Sequence, residues 1–206
     1  FLATAPFAQV ALTPIPAFLP VYQSAVILSD LITFILLLGQ YDIQRSRGLF
    51  LIACGYLFNA MMAVIHALSF PGLFAPSGLL HSGPQTTAWL YFFWHGSFPL
   101  FLIGYVVLEG RAARPVERSV PLVRTMGLAV LITCSLAVAF MLLSTTGASL
   151  LPPIMTGNLD AGTKIFVALT VWVISLAALV LLWRRTKRSL LDMWLMVIML
   201  VWVLDV

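Results

Sequence analysis

Asp30, His66 and His95 stand out in this 206-residue chain because each lies inside a long apolar run. An ionisable group at membrane depth is expensive, so it marks a functional candidate by default. Gln23 precedes Asp30 by seven residues and Thr33 follows it by three, so a helix sets all three on one face. A carboxyl there must pair with a cation, hold a proton or line a wet cavity. Asn59 and Met62 precede His66 by seven and four residues, on one helical stripe. Tyr91 precedes His95 by four residues, and Trp94 adjoins it. Measured from one membrane face, His95 falls about 12 Å deep and Asp30 about 14 Å. The three groups can therefore meet in one half of a helix bundle.

Three kinds of chemistry fit that meeting. Asp30, Asn59, Met62, His66, Tyr91, Trp94 and His95 could form a sensing pocket for a small ligand or a proton. They could equally be a buried network that only ties helices together. Or His66 and His95 could ligate a metal or a haem, since two histidines on neighbouring helices can serve as axial ligands. No HxxxH, CxxC or CxxCH spacing accompanies them, so the simplest expectation is no cofactor, with haem or metal as the alternative. The segment WLYFFWHGSF, Trp89–Phe98, could line a planar or apolar ligand with Phe92, Phe93, Trp94 and Phe98, or it could simply pack against lipid and core. His81 is the one histidine outside the apolar runs and reads as a solvated loop residue. There is no phosphate-cradling glycine loop, no GxSxG and no HExxH, so catalysis is not expected in this region.

The elements that must carry these groups follow from composition. Apolar residues make up 62% of the chain and charged ones 9%, with a mean hydropathy of +1.06. A soluble domain carries about 25% charged residues. That excludes a soluble globular protein, a disordered chain and a nucleic-acid-binding domain. Six apolar runs stand out: Val21–Gln40, Leu49–Phe70, Thr87–Leu108, Pro121–Thr145, Thr163–Trp183 and Ser189–Val206. A bilayer core takes about 20 helical residues to cross. The fold expected is an all-α integral membrane protein, a polytopic bundle with six visible helices, and residues 1–206 read as one membrane-embedded domain. Cys54 and Cys134 both sit inside apolar runs and read as buried small hydrophobes.

The net charge of +4 is explained by placement. Ten of the eleven Lys and Arg fall in or beside the loops 41–48, 109–120 and 184–188, and only Lys164 falls on the other side. The positive-inside rule makes those loops cytoplasmic. The partners implied are the lipid bilayer and an unidentified small ligand, with no nucleic acid. Residues 1–20 carry Pro6, Pro14, Pro16 and Pro20 and cannot be a regular helix. Phe1–Ala5 reads as the tail of an earlier helix, and the chain as a piece of a longer protein. Ser69–Thr87 is apolar but broken by prolines and glycines, so it is expected to pack down as a cap or a re-entrant turn. Pro99 should kink or break the third helix.

The segments PFAQVALTPIPAFLPVYQS, DLITFILLLGQ, GYLFNAMMAVIHALSFPGLF and GPQTTAWLYFFWHGSFPLF occur in this order along the chain. In these motifs it resembles the bacterial membrane-associated sensor (MASE-type) domains, specifically the fourth described type. The likeness is dense over residues 5–110 and looser beyond. It implies an N-terminal sensory module of about eight transmembrane helices joined to a cytoplasmic diguanylate cyclase (GGDEF) or histidine kinase domain. It also implies a homodimer through the full-length protein, and it places Asp30, His66, His95 and the Pro71–Gly72 turn inside motif segments. Two other classes compete: a haem-binding or redox membrane protein built on His66 and His95, and a transporter. The transporter reading needs paired broken helices, of which only Pro99 gives a sign.

Overall fold

Each apolar run closes its own backbone hydrogen bonds by coiling, as hydrocarbon surroundings require. The computed structural model describes residues 15, 17–80, 82–110, 121–156, 159–160 and 162–205. The helices are α1 Phe18–Gln44, α2 Arg47–Ser69, α3 Pro84–Gly110, α4 Leu122–Ser144, α5 Thr163–Trp183 and α6 Leu190–Asp205. The first five are long and apolar enough to cross a membrane. The run read as Thr163–Trp183 matches α5 at both ends, and the other helices differ from their runs by a few residues. His81, residues 1–14 with Pro6 and Pro14, Pro16, and Arg111, Arg114 and Arg118 lie outside the described residues.

α2 is the central helix. It packs on α1, α3 and α4, while α3 also packs on α5, and α5 on α6. Small residues allow this. Ala53, Ala60 and Ala63 are buried, and a Cβ on Gly55 would come within 2.9 Å of Phe101, so α3 approaches closely there. Around α2 the core gathers Ile52, Phe98, Leu102, Leu182, Leu195 and Met199. The outward faces of α1, α4, α5 and α6 present Ile35, Leu131, Phe166 and Val201, the surface a bilayer covers.

The described arginines gather at one end. Ser46 in the α1–α2 turn donates to Glu109 near the end of α3, and Arg185 after α5 reaches Asp192 at the start of α6. Lys164 opens α5 at the opposite end.

At that opposite end, Ser69–Thr87 does not re-enter the bundle. It folds into tight turns stapled to the end of α2. Leu79 N–H donates to Leu68 O at 2.9 Å and Ser82 Oγ to Ser69 O at 2.5 Å. Gly78 makes the closest approach, with φ +77 and with Ser69 O only 2.3 Å from where a Cβ would stand. The apolar side chains of the loop are not all tucked in, since Phe74 is 58% and Leu79 51% exposed. The loop after α4 is the one that docks inward. Gln85 at the start of α3 acts as a backbone surrogate: its amide donates to Pro152 O at 3.0 Å and accepts from Ile154 N at 3.0 Å and Met155 N at 2.9 Å. Trp89 Nε1 also donates to Pro152 O, at 3.1 Å. With its end so fixed, the loop turns back through a two-residue hairpin, Met155–Thr156 with Leu159–Asp160, an element that hydropathy alone does not reveal.

Candidate functional site

The ionisable groups expected to meet are brought into one layer in the half of the bundle away from the arginines. α1 and α2 join through two side-chain bonds. Asn59 Nδ2 donates to Asp30 Oδ2 at 2.6 Å, and Gln23 Nε2 meets His66 Nδ1 at 2.6 Å. α3 joins through Trp94, whose Nε1 donates to Asn59 Oδ1 at 2.5 Å. The His66 ring lies 5.7 Å from Trp94 and 6.4 Å from Tyr91, centroid to centroid. Gln23 is almost fully buried, yet its Oε1 has no hydrogen-bond partner among the described residues. An unsatisfied buried amide oxygen costs about 1–3 kcal/mol, which is tolerable where a site is built to receive a donor.

Thr33, which spacing sets on the face of Asp30, turns its hydroxyl to Ser29 O at 2.8 Å within its own helix. Met62 is fully buried among Phe58, Ala63, Leu90, Trp94 and Ala137, so it packs behind Trp94 as core.

α6 completes the layer with Asp205 and Trp202. Asp205 Oδ2 lies 3.1 Å from His95 Nε2 and accepts from the Tyr91 hydroxyl at 3.2 Å. His95 Nδ1 faces Tyr91 O at 2.8 Å. A carbonyl can only accept, so Nδ1 carries hydrogen. The Nε2···Oδ2 contact then needs its own proton, on the imidazolium or on the carboxyl, because two lone pairs would otherwise face each other. The pair is thus a place where one proton is held between α3 and α6.

Pro99 explains why α6 docks at this point. Proline has no N–H, so the carbonyl four residues back, that of His95, loses its helical partner. Trp202 Nε1 donates to His95 O at 2.8 Å, and its ring packs at 5.0 Å from His95 and 5.3 Å from Phe98. α3 runs on through Pro99 without a break in the helix. Trp202→Phe should cost about 1–3 kcal/mol by stranding that carbonyl. The cost should shrink in a Pro99→Ala background, where residue 99 regains an N–H. Thermal unfolding of the four proteins of this cycle in detergent measures the difference.

A pocket of about 540 Å³ opens on the layer at the end away from the arginines. His66, Tyr91 and Asp205 line it together with Thr87 and Lys164, and Phe70 and Met155 form part of its rim. Both outer loops therefore contribute to its lining, Phe70 from the segment expected to act as a cap and Met155 from the loop after α4. A cation, a carboxylate, an imidazole and a hydroxyl converge on otherwise apolar walls, the usual make-up of a small-molecule site. A second cavity of about 400 Å³ borders Trp89, Phe92, Phe93, Leu100 and Phe140, on the aromatic face of α3.

These residues do not fit a bis-histidine haem. Both nitrogens of His95 are already engaged, Nδ1 by the Tyr91 carbonyl and Nε2 by the Asp205 carboxyl, so neither is free to ligate. His66 has one nitrogen engaged by Gln23. No group of three His, Cys, Asp or Glu side chains suited to a metal occurs among the described residues.

A bundle of apolar helices that buries a polar layer beneath a pocket at one end is an integral membrane module with a candidate binding site. The chain belongs to the MASE4 family, membrane-associated sensor, integral membrane domain, whose model matches residues 13–206. No curated protein and no solved structure matches it.

Proposed function

We propose that this domain senses a small polar or amphiphilic ligand, or a proton, at the pocket over His66, His95 and Asp205, and that it passes the signal along α6 to a cytoplasmic output domain of the diguanylate cyclase or histidine kinase type. The arginine-bearing end then faces the cytoplasm of a bacterial inner membrane, by the positive-inside rule. The full-length protein works as a homodimer.

The observation that carries this reading is the pair of clamps that hold α6 on α3. At the pocket end, Asp205 pairs with His95 and Tyr91, and Trp202 takes the His95 carbonyl. At the arginine-bearing end, the Tyr105 hydroxyl donates to Asp192 at 2.9 Å. A ligand that competes for Asp205 or supplies its proton weakens the first clamp. α6 then shifts relative to α3, and the second clamp feels the shift. Such a signal requires two bundle states that bind the ligand with different affinity. A coupling of about 1–3 kcal/mol corresponds to a 5–150-fold change in affinity.

The test is the output activity of the full-length protein in liposomes while external pH and solutes are varied. His66→Ala and His95→Ala are expected to flatten the response and leave the basal rate measurable. A response in both variants equal to wild type, across every stimulus, contradicts the reading.

A further inference from the structure

α1 and α6 leave a lateral cleft of about 420 Å³ between them, separate from the pocket described above. Its mouth is flanked by Ser29, Val197 and Val201, all exposed where lipid tails would lie. Its depth is mid-membrane, since Asp30 stands twelve residues into α1 from Phe18, about 18 Å along the helix. Its floor is laid by α2 and α3 with Tyr56, Asn59 and Phe98, and Trp202 closes the side toward the pocket.

Two polar groups in this cleft are left wanting. Tyr56 is only 5% exposed, yet its hydroxyl has no hydrogen-bond partner among the described residues. Asp30 gives Oδ2 to Asn59, while Oδ1 has no such partner. At membrane depth no bulk water satisfies such groups, and every unpaired one is costly. The Tyr56 hydroxyl needs an acceptor and the free carboxyl oxygen needs a donor. One hydroxyl group supplies both. The walls select what carries that hydroxyl: Phe98 packs edge-on to Tyr56 at 5.1 Å and tilted to Trp202 at 5.3 Å, so aromatic surface lies beside the polar pair. Beyond them, Val26, Val197, Ile198 and Val201 are apolar. No basic residue lines the cleft, which disfavours an anionic head. A quaternary ammonium could meet Asp30 and the rings but offers Tyr56 no acceptor.

We propose that the cleft between α1 and α6 binds a membrane-dissolved phenol or hydroquinone, its ring against Phe98 and Trp202 and one ring hydroxyl bridging Tyr56 and Asp30. The proposal concerns binding alone, involves no redox step and does not rest on the sensing role of the other pocket.

The test uses the full chain in lipid nanodiscs and radiolabelled decylubiquinol under anaerobic reducing conditions, with empty nanodiscs as the baseline for partition into lipid. Saturable binding at one site per chain is expected. The dimethyl ether of the same quinol, which cannot donate, should bind about tenfold more weakly, the loss of one hydrogen bond of about 1.4 kcal/mol. Tyr56→Phe should weaken the quinol by a similar factor. Val201→Trp should abolish binding by filling the cleft from its mouth, with thermal unfolding used to verify that each variant is folded. Binding no greater than in empty nanodiscs overturns the proposal. So does equal affinity for the dimethyl ether, or unchanged binding in both folded variants. Displacement of the quinol by dodecyltrimethylammonium at lower concentration than by unlabelled quinol also overturns it and assigns the cleft to cationic amphiphiles.

Discussion

Asp192→Ala is expected to be the most destabilising single substitution in the domain, lowering stability by about 3–5 kcal/mol. The carboxylate is wholly buried at the start of α6. Oδ1 accepts from the Tyr105 hydroxyl at 2.9 Å and from Arg185 Nη1 at 2.8 Å. Oδ2 accepts from Ser189 N at 2.7 Å and Ser189 Oγ at 3.0 Å. In return Asp192 N donates to Ser189 Oγ at 3.1 Å, so the two residues cap the helix reciprocally. The Arg185 guanidinium also lies 5.4 Å from the centre of the Tyr105 ring. Removing the carboxylate leaves a partly buried cation and a phenol without their acceptor and opens the cap. That stranding, not the net worth of the ion pair, sets the size of the effect, because a buried pair gains little over an apolar replacement of both partners. Asp192→Asn keeps the shape and an acceptor for the cap, so it should recover part of the loss. Thermal unfolding in detergent reads the result. A fall on the order of 10 °C is expected for Ala, with Asn in between. A shift of less than about 2 °C for Ala contradicts the clamp.

Asp192 also shows what the sequence conceals. The bundle itself was legible, because long apolar runs leave the backbone no alternative to helices, and α5 matches its run at both ends. The meeting of Asp30, Asn59, His66, Trp94 and His95 was legible from helical spacing and depth. Asp192 was not singled out, although Ser189 three residues before it is a capping signal in plain view. The arginines beside it read as topology markers, and nothing in one dimension distinguishes Arg185, which turns inward, from Arg184. Trp202 was hidden for a different reason. The need for a donor at the His95 carbonyl follows from Pro99, but the helix that supplies it depends on how α6 lies against α3, and α6 is apolar on nearly every face. Thr33 shares the face of Asp30 by spacing, yet a hydroxyl in a helix can satisfy itself on the carbonyl four residues back. Gln85 went unnoticed since a lone Gln at a helix start carries no pattern, although it anchors three backbone groups of another loop.

The second large effect concerns α6 as a rod held at both ends. Asp205 and Asp192 are thirteen residues apart on one helix, about 20 Å. α6 therefore spans the distance between the pocket and the arginine-bearing end without a break. Asp205→Ala removes the acceptor from both His95 and Tyr91 and leaves Trp202 as the main polar tie at that end. If the two clamps are alternatives in strain, loosening one lets the rod settle differently on the other. If they are independent, the far clamp is indifferent to the change.

Amide hydrogen exchange across residues 184–192, in the full chain in nanodiscs, separates these cases. In Asp205→Ala, exchange in that segment is expected to be faster or slower than wild type by about tenfold, a coupling of about 1.4 kcal/mol between the ends of α6. Exchange altered only near residues 198–205, with 184–192 unchanged, would contradict the claim that this domain carries a signal from its pocket to its arginine-bearing end.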